Sequence, residues 1–108
     1  MLIAIPTMDD KGLDSRISNH FGRAPFFTLV EVEGNTVKNV QVLRNHIVDH
    51  KPGDIPRYLM RRGVKTIVAD GIGEKAIQHF ERWGIRIIKN VTGTVREALK
   101  EHLKIEEH

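Results

Sequence analysis

Three times in the second half of the chain, a stretch with helix start and stop signals stands beside a short apolar run. "KPGDIPRYLMRRG" carries Asp54 as a candidate cap, Pro56 in the first turn, Ile55 and Leu59 on one inner face, and Gly63 as a stop. "VKTIVAD" follows, apolar and too short for a helix of its own. "GIGEKAIQHFERWG" places Ala76, Ile77 and Phe80 on one stripe before Gly84, and "IRIIKN" reads as another buried strand. "TGTVREALKEHL" opens with Thr94 and Glu97 at capping-box spacing and turns Val95, Ala98, Leu99 and Leu103 inward. Strands joined through a helix run parallel and share a sheet. The alternation therefore restricts the chain to a layered α/β fold.

The first half adds strands without helices. "MLIAIPT" is a short apolar run that suits a central strand. "PFFTLVEVEGNTVKNVQVLRN" reads as a hairpin, with Glu31 and Glu33 alternating with Val30 and Val32 and "GN" at the turn. The predicted order is β-β-β-α-β-α-β-α. It implies an α/β sandwich around a five-stranded mixed sheet, with helices on both faces. The first strand should be central, the hairpin should lie to one side, and the fourth and fifth strands should run parallel to the first. At 108 residues, residues 1–108 are expected to form a single domain. The tail "KIEEH" is expected to fray.

Composition excludes several chemistries. The chain has no cysteine, which removes thiolate catalysis, thiol redox switching and all-cysteine metal sites. "MLIAIPTMDD" has no basic leader, and no apolar run approaches the ~20 residues that span a bilayer. The expectation is a cytoplasmic protein with no membrane partner. The formal charge is +3, and residues 57–108 hold 11 Lys and Arg against 7 Asp and Glu. Acids and bases alternate within "GEKAIQHFERWG" and "REALKEHLKIEE", as on solvated helix faces. That pattern, with no interleaved aromatics for stacking, argues against a nucleic-acid partner. Oligomeric state is not legible.

Strand direction gathers the chemistry-bearing loops. If the first strand runs up, the third, fourth and fifth also run up. Residues 7–24, 44–53, 70–74 and 89–94 then emerge at one carboxyl edge, where open α/β sheets bind ligands. The longest of these loops holds "HFGRAPFF". On a structural reading Phe21 plugs the core, Gly22 supplies a positive φ, Arg23 pairs with an acid and Pro25 sets the strand entry. On a functional reading His20 projects into the cleft as a ligand or proton carrier. "RNHIVDH" brings His46 and His50 to the same edge. With His20 they make three imidazoles, enough for zinc or iron with one open position, or else they are ordinary surface histidines.

"DGIGEKA" sets Gly71 and Gly73 between a strand and a helix start, where free backbone N–H groups favour anions. It lacks the "GK[ST]" of a P-loop, and Ala76 stands where a dinucleotide fingerprint needs a third glycine. Glu74 stabilises the helix start but opposes an anion, and a plain tight turn is the other reading. Asp9, Asp10 and Asp14 cluster in the first loop, and Asp70 is the obvious second carboxylate for a magnesium site, with no clear third. No serine or threonine forms a convincing nucleophile set. His79, on a helix expected to lie away from this edge, His102 and His108 carry no assigned role.

The runs "SRISNHFGRAPFF", "DGIGEKAIQHFERWGIRI" and "GTVREAL" together resemble the dinitrogenase iron-molybdenum cofactor biosynthesis family, the NifX-like domains. The likeness runs from Ile3 to about Leu103. It implies a ribonuclease H-like sandwich with a five-stranded mixed sheet. It also implies a carrier or chaperone rather than a catalyst, one that binds an iron-sulfur or iron-molybdenum type cluster, or its precursor, and passes it between donor and acceptor proteins. Carried over, His20 and the loop at His46 and His50 would contact the cluster. Phe21, Gly22, Arg23, Gly71 and Gly73 would frame it, with Arg23 and the glycine loop as donors. A preassembled cluster brings its own sulfides and needs only one or two imidazoles, whereas building an ordinary iron-sulfur cluster takes thiolates. The alternative is an anion- or nucleotide-binding domain, or a magnesium-dependent enzyme, using Asp9 and the Asp70–Gly73 loop.

Overall fold

A computed structural model describes residues 1–46, 51 and 53–107. The strands β1 (Leu2–Thr7), β2 (Phe26–Glu33) and β3 (Thr36–Arg44) come first, followed by α1 (Asp54–Arg61), β4 (Val64–Val68), α2 (Glu74–Arg82), β5 (Arg86–Ile88) and α3 (Val95–Leu103). The sheet order is β3-β2-β1-β4-β5. β1 pairs antiparallel with β2 and parallel with β4, and β4 pairs parallel with β5. The expected mixed sheet forms, with its first strand central and the hairpin to one side.

Period-two alternation sends side chains to two separate cores. Ile3, Ile5, Val30 and Val32 pack on one face under Val95, Ala98 and Leu99 of α3. Ala4, Phe27, Leu29 and Ile67 pack on the other under Ile55 and Leu59 of α1 and Phe80 of α2. β1 is buried on both faces, which is why "IAI" reads as one apolar run rather than an alternation.

The elements differ from expectation in three places. Gly53, with φ +94°, stands at the N-cap of α1 in place of Asp54. Asp54 is the first helical residue, and its carboxylate accepts from the Lys51 N–H at 2.8 Å. Ile77 is half-buried and lies outside the core, where Ile72, Ala76 and Trp83 pack instead. The tail does not fray through residue 107. After α3, Lys104 takes φ +56°, Ile105 is buried, and Glu106 pairs with the edge strand, donating to the Asn35 carbonyl at 2.8 Å and accepting from the Val37 N–H at 3.0 Å. Ile105 has an open place in the α3 core and β3 has an unpaired edge, so one short segment satisfies both. At the other end of α3, Thr94 and Glu97 form the expected capping box.

Candidate functional site

The long connection after β1 is built into the edge of the sheet rather than hanging over it. The Met8 N–H donates to the Arg16 carbonyl at 2.9 Å and the Ser18 N–H to the Pro6 carbonyl at 2.8 Å. On its other side, the Ile17 N–H reaches the Gly93 carbonyl at 2.9 Å and the Val95 N–H reaches the Ser15 carbonyl at 3.0 Å. Residues 15–18 therefore cross the carboxyl edge as an irregular extra pairing between β1 and the start of α3. Isolated bridges of this kind carry no side-chain periodicity, so nothing in the residue pattern announces them.

The chain then meets the 70–73 turn. The Gly71 N–H donates to the Asn19 carbonyl at 3.0 Å, and the Phe21 N–H donates to the Gly71 carbonyl at 2.8 Å. His20 lies between these two bonds. Ser18 Oγ donates to the His20 carbonyl at 3.1 Å, which also accepts from the Arg23 N–H at 3.2 Å. The backbone is satisfied and held, while the side chain is exposed and its ring makes no hydrogen bond among the described residues. The ring lies beside Gly71, with Nδ1 3.9 Å from where a β-carbon on that glycine would sit.

Phe21 does plug the core. Its ring packs edge-on against Phe80 at 5.7 Å between centroids and tilts against Phe27 at 5.4 Å. One residue thus ties the His20 turn to both α2 and β2. Gly22 departs from expectation: its φ is not left-handed, and a β-carbon there would meet nothing within 4 Å. Gly71 departs in a different way. Its N–H is spent on Asn19 and is not open to a ligand, and a β-carbon would stand 2.5 Å from the Asn19 carbonyl oxygen. The glycine is needed for that close approach. Arg23 is exposed and forms no ion pair among the described residues.

A cleft of about 180 Å³ opens beside this turn, lined by Phe21, Gly22, Gly53, Pro56, Gly73 and Lys75 among others. The amino ends of α1 and α2 both border it, and neither N-cap, Gly53 or Gly73, carries a side-chain cap. Open N–H groups and the Lys75 side chain favour an anion there, while Asp54 and Glu74 in the first turns oppose one. His79 is closer to this edge than expected. Its Nε2 would lie 2.9 Å from a β-carbon on Gly53, and its ring stacks at 5.6 Å on Trp83.

His46 follows Asn45, which is tied to the far end of the His20 connection. The Asn45 N–H reaches the Pro25 carbonyl at 2.8 Å, and Nδ2 reaches the Ala24 carbonyl at 2.9 Å. His50 lies outside the described residues, so the three-histidine arrangement does too. Among the described residues, no three His, Asp or Glu side chains gather to hold a metal ion. Asp9 and Asp70 gain no third carboxylate there, although Asp9 Oδ1 is buried without a hydrogen-bond partner. No helix among the described residues is long and apolar enough to cross a membrane.

Comparison with known proteins agrees with this architecture. The uncharacterized protein MJ0580 of Methanocaldococcus jannaschii is 33% identical over 103 residues, covering 93% of this chain and 83% of that protein. The crystal structure of PH0822 superposes with a TM-score of 0.85 at 38% identity, covering 96% of this chain and 91% of that one. The solution structure of TM1290 from Thermotoga, described as a candidate NifB protein of the DUF35 family, superposes with a TM-score of 0.78 at 27% identity, covering 95% and 87%. The family described as dinitrogenase iron-molybdenum cofactor matches residues 1–105. By that match and by its fold, the chain belongs to the dinitrogenase iron-molybdenum cofactor (Nitro_FeMo-Co) family.

Proposed function

We propose that the chain binds a preassembled, anionic iron-sulfur or iron-molybdenum type cluster at its carboxyl edge and carries it between a donor and an acceptor protein, with no reaction of its own. The observation that carries this reading is His20. Its backbone is held between two hydrogen bonds to Gly71, its neighbour Phe21 is buried, and its ring is exposed with no hydrogen-bond partner among the described residues. A rigid support under an open imidazole is what a single-residue ligand needs, because little freedom is lost on binding.

The donor set fits a cluster better than a bare ion. A lone zinc or iron ion takes three or more protein ligands; the described residues offer no such group. A cluster that already carries its sulfides needs only the last one or two donors, a role we assign to His20, with His46 as the candidate second donor. The uncapped amino ends of α1 and α2, with Lys75 and Arg23, favour the negative charge of such a cargo. Gly22 and Gly73 leave room on the cleft wall. Family membership supports the same class of cargo.

Anaerobic reconstitution with iron and sulfide tests the proposal. The parent should retain visible charge-transfer absorption after desalting, His20→Ala should lose most of it, and His102→Ala, an exposed α3 residue, should match the parent. Equal absorption in the parent and His20→Ala would overturn the role of His20. A second reading rests on the buried, unpartnered Asp9 Oδ1, which would suit magnesium or another cation-assisted hydrolysis. Magnesium-dependent hydrolysis lost in Asp9→Asn would favour it instead.

A further inference from the structure

The outward face of α1 has a charge pattern unlike the other helices. Asp54, Arg57, Tyr58 and Arg61 fall at i, i+3, i+4 and i+7, so they form one stripe. They line a shallow groove of about 470 Å³. Tyr58 is 40% exposed, one of the few large apolar side chains left open. After Asp54, α1 holds no further acid. The exposed residues of α2 and α3 mix both signs, as Glu74, Lys75, Glu81 and Arg82 do on α2. Arg57 pairs with Asp54 at 3.7 Å, but both are well exposed, so the pair is weak and exchangeable. Arg61 has no partner among the described residues. Arg62 extends the patch to the edge strand, donating to Gln41 Oε1 at 3.2 Å.

We infer that this face docks an acidic protein segment, with Tyr58 as the packed anchor and Arg57 and Arg61 as carboxylate clamps. Tyr and Arg are the side chains that most often dominate protein interfaces, and guanidinium groups hold carboxylates in paired hydrogen bonds. Two arginines one turn apart match acids one turn apart on a partner helix. A nucleic acid fits less well. Two helical turns cover about 10 Å, which reaches few phosphates, and one tyrosine makes no stacking platform. The inference does not depend on cluster binding, and its test uses the chain without any cluster.

The probe is a synthetic helical peptide with Glu at every fourth position beside a Leu stripe. It is titrated into the isotope-labelled full chain and followed by amide NMR. Controls are the same peptide with Lys for Glu and a single-stranded oligonucleotide of equal charge. The expected result is shifts concentrated at residues 57–62, with binding weakened on the order of tenfold by the pair Arg57→Glu and Arg61→Glu. Tyr58→Ala keeps the charge and should also weaken binding; it carries the test if the charge-reversed chain melts early. Shifts scattered over the whole surface, equal binding by these variants, or tighter binding of the oligonucleotide would overturn the inference.

Discussion

Gly71 and Gly22 differ in what a methyl group would meet, and that difference separates a glycine the fold requires from one it does not. At Gly71 a β-carbon would collide with the Asn19 carbonyl oxygen at 2.5 Å, a backbone atom that cannot turn aside. Gly71→Ala should destabilise by about 1–3 kcal/mol, the range for overpacking, and a denaturant midpoint reads it. At Gly22 the β-carbon would enter the cleft and touch nothing within 4 Å. Gly22→Val should leave the melting temperature close to the parent value yet weaken cluster retention on desalting. The sequence marks both positions as glycine without telling them apart, because the distinction lies in Asn19, far away in the chain. Phe21 was legible, since an aromatic residue between two core strands has few other places to go. His79 was not, because its approach to Gly53 depends on how α1 and α2 pack together.

The helices translate residue patterns into energies. Phe80 of α2 is fully buried and meets Phe21 edge-on, so Phe80→Ala should cost about 3–5 kcal/mol in chemical denaturation. A loss below about 1 kcal/mol would contradict this packing. α3 carries the acid-sensitive elements. Hydrogen bonds from Thr94 hold the Glu97 carboxyl below its ordinary value near 4.5. The Arg96 guanidinium, bound to Asp14 and bidentate to Glu107, does the same for Glu107. A carboxyl with a depressed folded-state pKa contributes stability that is complete above its unfolded value and is lost as pH falls through the folded one. Acidification below about 4.5 should therefore loosen the tail, seen as a shift of the Val37 amide that bonds to Glu106. Glu107→Gln should flatten that response. The cap was legible because Thr94 and Glu97 have a fixed spacing. The tail was not, because its docking rests on Ile105, one bridge to the β3 edge and the Arg96–Glu107 pair, none of which repeats along the chain.

At the scale of the whole molecule, strand direction was the legible quantity that mattered most. Helices between apolar strands dictated parallel β1, β4 and β5, and with them the edge at which the loops gather. What remained hidden was how the first loop crosses that edge, since its bonds run between backbone groups of residues 15–21 and those of Pro6, Met8, Gly71, Gly93 and Val95. That crossing turns a long loop into a fixed support and sets His20 at the rim. We propose that this imidazole is a direct ligand of the cluster. Pulsed electron paramagnetic resonance on the cluster-loaded chain, with isotopically labelled histidine nitrogen, distinguishes a bound imidazole from a bystander. The parent should show a nitrogen hyperfine coupling that disappears in His20→Ala. A bound, paramagnetic cluster with no histidine coupling in the parent, or with the same coupling in His20→Ala, would rule out ligation by His20.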